Sequence, residues 1–224
     1  GVDICRRFGF HPVLLHYYQP IPRYESLPDS VFTDAQAFPG FRLDRDRFAA
    51  TLRHLSAKAA EAQWPDRAGA PGQYHTANDN FGFSSVALLH TMIRTHNTRK
   101  VIEIGGGFSS LISLHALRLN HGDGFRFDCV EPYPSPWLEE TLSAHPGARL
   151  LREPAEQLDP DMLADLAEND ILFIDSSHCV RLASDVNFLY LQVIPRLKPG
   201  VIVHIHDIYI PYEYPRVHFH GRQK

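Results

Sequence analysis

From residue 100 onward, short apolar runs at 101–104, 125–130, 148–151, 171–174 and 201–205 alternate with longer segments whose apolar residues recur every three or four positions. Runs of four to six apolar residues bounded by turn residues suit strands buried on both faces, and helix-length spacers suit crossover connections. The predicted helices span about 109–119, 135–144, 161–167 and 182–194, the last with Leu182, Val186, Leu189 and Val193 on one face. Pro199-Gly200 turns the chain into the final strand. The pattern therefore predicts an α/β fold, a doubly wound and mainly parallel sheet with helices on both faces.

The first eighty residues read differently. Pro12, Pro20, Pro22, Pro28 and Pro39 among Tyr17, Tyr18, Phe32, Phe38 and Phe41 cannot sustain a long helix, so residues 1–42 are expected to form an ordered, largely irregular arm. From Asp44, Phe48, Leu52, Leu55, Ala59 and Ala62 fall on one helical face, which predicts a helix to Gln63. Residues 65–80 are rich in Pro, Gly and small polar residues; structureless segments of roughly 15 residues are often lids or binding loops. Tyr74, His75, Asn78 and Asn80 lie there; a loop at this place could fold over a ligand and contact it, and the polarity of a surface loop explains these residues equally well. Ser84 or Ser85 is placed to cap a helix with Val86, Leu89 and Ile93 on its face. The domain reading is an N-terminal helical and irregular extension with a lid-like loop over 1–80, and a cofactor-binding domain over 81–224.

Composition narrows the partners. The 224 residues carry Lys+Arg 22 against Asp+Glu 26, a net charge of -4, with no basic run. That excludes the footprint of nucleic-acid or anionic-membrane binding and favours a small molecule. No stretch approaches the ~18 apolar residues of a membrane span. Cys5, Cys129 and Cys179 are few, odd in number and widely spaced, which fits free thiols in a reducing, cytoplasmic setting. Gly1 rather than Met opens the chain, so any signal before it lies outside this sequence.

The segment 101–110 is a buried strand that ends in Glu103 and three glycines and runs straight into a helix. Glycines there permit a tight turn and close approach of a ligand at the carboxyl end of the sheet. Counting from Gly105, Ser110 stands where a dinucleotide fingerprint wants its third glycine, which demotes nicotinamide cofactors. The second strand closes on Glu131, where a carboxylate can accept both hydroxyls of a ribose.

Through Glu103-Ile-Gly-Gly-Gly107 and Glu131, the chain resembles the class I S-adenosylmethionine-dependent methyltransferases, whose fold is Rossmann-like. It is closer still to a bacterial family, methyltransferase domain 24. That resemblance takes in 79–82, 102–110, 131–134, 171–178, 184–187 and 204–207, and covers roughly residues 70 to 216. It implies that Glu103 and the backbone of Gly105 and Gly107 hold the methionine part of S-adenosylmethionine, that Glu131 holds its ribose, and that Asp175 borders it. Phe108 reads as a packing residue. This fold normally closes with two further strands, whereas only 209–224 remain here. The expectation is a chain without its last strands, able to associate as a homo-oligomer through the exposed edge.

Two later strands deliver Asp175 and His178, and His206 and Asp207, to the same sheet edge. Asp175, His206 and Asp207 could ligate one divalent ion; the alternative is that the carboxylates merely accept hydrogen bonds from backbone and helix ends. The set resembles that of metal-dependent catechol-type O-methyltransferases, with Asp175 as first ligand and His178 at the position of the base. It departs in having His206-Asp207 for an acid and amide pair and His178 for a Lys. Magnesium or manganese heads the candidates, and imidazole widens the choice toward iron or zinc. The expected reaction is metal-assisted O-methylation of a small molecule or sugar hydroxyl. His178 removes the acceptor proton, since imidazole titrates ordinarily near ~6.5. His204 reads as a buried histidine outside the ligand set, and His218 and His220 as a solvated tail. Two other classes stay open at this point. One is a metal-dependent oxygenase or hydrolase using Asp175, His178, His206 and Asp207. The other is a non-catalytic cofactor-binding domain docking through its aromatic arm.

Overall fold

The computed structural model of the protein describes residues 2–13, 26–37, 44–70 and 72–217. Two compact units emerge, residues 1–42 with 208–224 and residues 43–207, a different division from the one at 80/81 read from the sequence. In the first unit α1 (Val2–Arg7) and α2 (Ser30–Thr33) are short. The N- and C-terminal segments are tied together there: the Arg216 guanidinium lies 2.7 Å from an Asp29 carboxylate oxygen and 4.3 Å over the Phe32 ring, and Gln36 N–H donates to Pro211 O. The arm's Tyr17, Tyr18, Phe38 and Phe41, like His218 and His220, lie outside the described residues.

The second unit opens with α3 (Arg45–Ser56), whose first turn is capped by the Asp44 carboxylate accepting from Arg47 N–H at 3.0 Å. The sequence predicted this helix to run to Gln63 with a continuous buried face. It stops at Ser56, a 3-10 turn (Ala59–Glu61) follows, and Phe48 and Leu52 are 66% and 44% exposed while only Leu55 of the helix is buried. Apolar spacing defines a face that could be covered; it does not supply the cover.

Next, α4 (Phe83–Thr95) starts after Gly82, so neither Ser84 nor Ser85 caps it, and it buries Val86, Leu89 and Ile93 as expected. The five predicted strands form within one residue of their expected limits: β1 (Lys100–Ile104), β2 (Arg126–Val130), β3 (Ala148–Leu151), β4 (Ile171–Ile174) and β5 (Ile202–Ile205). All pairs are parallel, in the order β3-β2-β1-β4-β5. Between them run α5 (Phe108–His121), α6 (Pro136–Ser143), α7 (Pro160–Leu163) and α8 (Asp185–Phe188), the last continued by a π-helical turn (Leu189–Val193) and a 3-10 turn (Ile194–Arg196). Ser184 caps α8 by accepting from Asn187 N–H, and Leu182, predicted to lie on the buried face, stands outside the helix and is 98% exposed. Among the described residues no helix is long and apolar enough to cross a membrane.

Alternation along the strands splits the core in two. Val101, Phe127, Cys129 and Phe173 pack with α4, α5 and α6, whereas Ile102, Ile104, Val130, Leu172 and Ile174 pack with α7, α8 and the π-helical turn. Glu103 therefore points toward α5, not along the sheet edge. Because β1 lies between β2 and β4, successive connections leave it in opposite directions, and the gap between the ends of β1 and β4 is the place where doubly wound sheets take ligands.

Candidate functional site

The hydrogen-bond ladders of β1, β2, β4 and β5 continue one residue past the strand ends. Gly105 N–H donates to Val130 O, Asp175 N–H to Ile104 O, Glu131 N–H to Leu151 O and His206 N–H to Ile174 O, at 2.8–2.9 Å. Gly105, Glu131, Asp175 and His206 are thereby fixed along one edge. Gly105 has φ +90, and a Cβ built on it would overlap the Asp175 carbonyl oxygen, so only glycine lets the two strand ends close. Gly107 lies in extended backbone with open space where a Cβ would stand, so the fold itself does not require glycine there. The Glu131 carboxylate accepts from Gly106 N–H at 3.1 Å and Tyr133 N–H at 2.9 Å, which aims it from the end of β2.

Two clefts of about 390 and 420 Å³ flank this turn, and Gly105, Glu131 and Asp175 line both. The first continues along the β3 and β4 ends past Ala155, Glu156, Ser177 and Asp185. The second is walled by Asn80, Phe81, Gly107, Phe108 and Trp137.

Glu103 lines neither cleft. It is fully buried, accepts from Ser109 Oγ and from Ser110 Oγ, and its other oxygen has no partner. Burial, together with the charges of Asp175 and Glu131 and against the two serine hydrogen bonds, raises its pKa to about 8. A carboxyl that keeps its proton when folded but loses it when unfolded stabilises the fold below about pH 4.5. That contribution is lost as pH rises toward 8. Glu103→Gln should remove this loss, about 2 kcal/mol between pH 6.5 and 8 at ~1.4 kcal/mol per unit. His206, also held up, adds a loss of the same sign, so the fall of melting temperature over that range should flatten in the variant without vanishing. A wild-type slope in Glu103→Gln would contradict an un-ionised Glu103. His90 and His204, both lowered to about 4 chiefly by burial, act oppositely and destabilise the fold as pH drops below about 6.5.

At the other side of the Gly105 gap, Asp175 gathers two imidazoles. His178 Nε2 lies 3.2 Å and His206 Nδ1 3.5 Å from Asp175 Oδ1, and His206 Nδ1 is 3.3 Å from Asp207 Oδ1. Asp175, His178 and Asp207 each offer a ligand atom within 4.8 Å of the others, a group in which His178 stands where the set read from the sequence had His206. Burial would raise the Asp175 carboxyl, but the hydrogen bonds and charges of His206 and His178 outweigh it, and the net shift is downward. Burial would lower His206, but Asp175 and Asp207 outweigh it, and the net shift is upward. His178 and Asp207 both have φ 55, left-handed backbone that costs about 1–3 kcal/mol and gathers at functional positions. His204 turns edge-on to Phe173 at 4.7 Å, apart from the ligand set.

The segment predicted as a lid is knitted into the unit. Tyr74 is buried, its hydroxyl donating to Phe81 O at 3.0 Å, and Asn78 donates to His75 O and Phe81 O while accepting from the Asn80 and Phe81 amides. His75 and Tyr74 pack against Phe108, which in turn stacks on Trp137. Sequence reasoning assigned no site role to Phe81, whose ring lies 4.9 Å from that of His206, to Ser85, read there only as a helix cap but lying 3.0 Å from His206 Nε2, or to Asp185, which accepts from Ser177 N–H and Oγ and so holds the turn after β4. These pairings join distant positions, and no local pattern signals them.

Residues 102–208 match the sequence model of a family described as a methyltransferase domain. An uncharacterized protein of Archaeoglobus fulgidus is 26% identical over 167 residues, 70% of this chain and 74% of its own. Among solved structures, the O-methyltransferase TomG of Streptomyces achromogenes, involved in tomaymycin synthesis and solved with S-adenosylmethionine, is 20% identical with a TM-score of 0.41 over 73% of this chain and 74% of its own. The methyltransferase PaMTH1 of Podospora anserina, solved with S-adenosylhomocysteine, is 14% identical with a TM-score of 0.42 over 75% and 73%. Residues 102–208 of this chain thus match a methyltransferase domain, and the parallel sheet that they build is Rossmann-like in its strand order.

Proposed function

We propose that the protein methylates a hydroxyl of a small molecule or sugar, with a divalent cation, magnesium or manganese, held by Asp175, His206 and Asp207. The observation that carries this reading is the His206 Nδ1 atom, buried and faced by carboxylate oxygens of Asp175 and Asp207 at 3.5 and 3.3 Å. Two carboxylates and an imidazole are a donor set suited to these ions. Such an ion polarises an acceptor oxygen and lowers its pKa. The chain's own residues do the rest. Gly105, Gly107 and Glu131 seat the cofactor with its amino-acid part in the second cleft and its nucleoside in the first. His178, its Nε2 engaged by Asp175, keeps Nδ1 as the lone-pair nitrogen for the acceptor's proton. Binding both partners along one edge supplies the in-line orientation that methyl transfer needs. The near-neutral charge supports a small acceptor over a nucleic acid. Against a metal oxygenase or hydrolase stands the adjoining cleft floored by the glycine turn and Glu131, which such chemistry does not use.

The test is transfer of isotope-labelled methyl from S-adenosylmethionine to a panel of catechol, sugar-hydroxyl and amine acceptors, with and without chelator. We expect label on oxygen, a loss of at least about tenfold on chelation, and recovery with magnesium or manganese. Label only on nitrogen, or turnover indifferent to chelator, would overturn the reading.

A further inference from the structure

We infer that Ser85, on the first turn of α4, is a positioning residue that sets which nitrogen of His206 faces the two carboxylates; this rests on the cation reading above. The Ser85 hydroxyl lies 3.0 Å from His206 Nε2. His206 Nδ1, on the other side of the ring, is buried between Asp175 and Asp207. A histidine can ligate a cation only through a nitrogen that carries a lone pair. For Nδ1 to be that nitrogen, the ring proton must sit on Nε2 and needs an acceptor there. Among the described residues Ser85 Oγ is the hydrogen-bond partner of Nε2.

The surroundings leave the ring little freedom except at that bond. Phe81 tilts against one side with ring centroids 4.9 Å apart, Phe173 lies 6.3 Å away, and Asn78 fixes the Phe81 backbone. Hydrophobic walls hold the plane of an imidazole but not which edge turns to the carboxylates; the hydrogen bond to Ser85 Oγ fixes that edge, and the hydroxyl oxygen can accept the Nε2 proton. Without the hydroxyl, the proton is free to sit on Nδ1, where it hydrogen-bonds the carboxylates and closes the cation side.

Ser85→Ala and Ser85→Thr, each as the full chain, should be titrated with Mn2+ alone, following the free-ion paramagnetic resonance signal, alongside S-adenosylmethionine titration and thermal melting. We expect Ser85→Ala to weaken Mn2+ binding about 10–100-fold, the range for loss of an outer partner of a ligating histidine, with cofactor affinity unchanged. Threonine, which keeps the hydroxyl, should restore Mn2+ affinity to within a few-fold of wild type. If wild type binds Mn2+ and Ser85→Ala binds it equally well, the role of Ser85 is overturned while the cation reading stands. A fall in both variants alike also overturns it, since the hydroxyl would not be what matters. If wild type binds no Mn2+, the cation reading fails and the inference with it.

Discussion

Replacing Gly105 by alanine is expected to cost more stability than any other exchange in the glycine turn and to abolish S-adenosylmethionine binding. The new methyl would overlap the Asp175 carbonyl oxygen, a backbone atom that cannot rotate away, at a residue whose φ of +90 an L-side chain rarely adopts. Overpacking and backbone strain together should amount to about 3 kcal/mol, or roughly 6–12 °C in melting temperature for a chain of this size. The β1 and β4 ends must part, and Asp175 moves with them. Gly107→Ala provides the contrast. A Cβ there meets nothing within 4 Å, so melting should change by less than about 2 °C, while the methyl enters the cleft and weakens the cofactor. Thermal melting and calorimetric titration of the two variants side by side separate the effects. Equal melting of Gly105→Ala and wild type would sink the argument about strand-end closure. Full cofactor affinity in Gly107→Ala would mean the cofactor does not lie against that turn.

Asp175→Asn is the second large effect. Asp175 faces both imidazoles, lines both clefts and keeps its backbone bond to Ile104, so the substitution removes charge while leaving the strand end in place. Turnover should fall by about 10³-fold, the kinetic equivalent of roughly 4 kcal/mol of lost charge stabilisation. Mn2+ affinity should fall by more than about 100-fold, beyond the loss expected for an outer partner. Cofactor affinity should change by less than about tenfold, because the glycine turn and Glu131 are untouched. His206 should also lose the larger of the two carboxylate influences that hold its pKa up, with Asp207 remaining, and its imidazole signals in an NMR titration should move to lower pH. Turnover within tenfold of wild type in Asp175→Asn would remove Asp175 from the chemistry.

The sheet was legible because its signal is local. Four or five apolar residues in a row, buried on both faces, mark each strand, and the residues just past the strand ends are placed by the same ladder that defines the strands. Asp175 and His206 thus arrive at one edge from sequence positions that could be read in advance. Helix limits were less legible. Leu182 fits the face of Val186, Leu189 and Val193 by spacing, yet Ser184 starts the helix two residues later because a capping hydroxyl outweighs one apolar contact. Phe48 and Leu52 carry the period of a buried face, yet among the described residues nothing buries them. The site's finer parts were not legible at all. Ser85 and His206 are 121 residues apart and joined by one hydrogen bond, which no periodicity encodes. Glu103 shows the converse: its motif position is plain in the sequence, but strand alternation turns its carboxyl inward to Ser109 and Ser110, away from both clefts.

The central claim is that an elongated nucleoside cofactor lies across the Gly105 turn with its ribose at Glu131. Calorimetric titration of the metal-stripped full chain with S-adenosylmethionine, with NAD as control and Glu131→Ala in parallel, tests it most directly. The account predicts stoichiometric binding of S-adenosylmethionine without metal, none of NAD, and at least about a tenfold loss in Glu131→Ala, as expected when a charge-assisted pair of hydrogen bonds is removed. Failure of S-adenosylmethionine to bind, or binding that Glu131→Ala leaves unchanged, would contradict it.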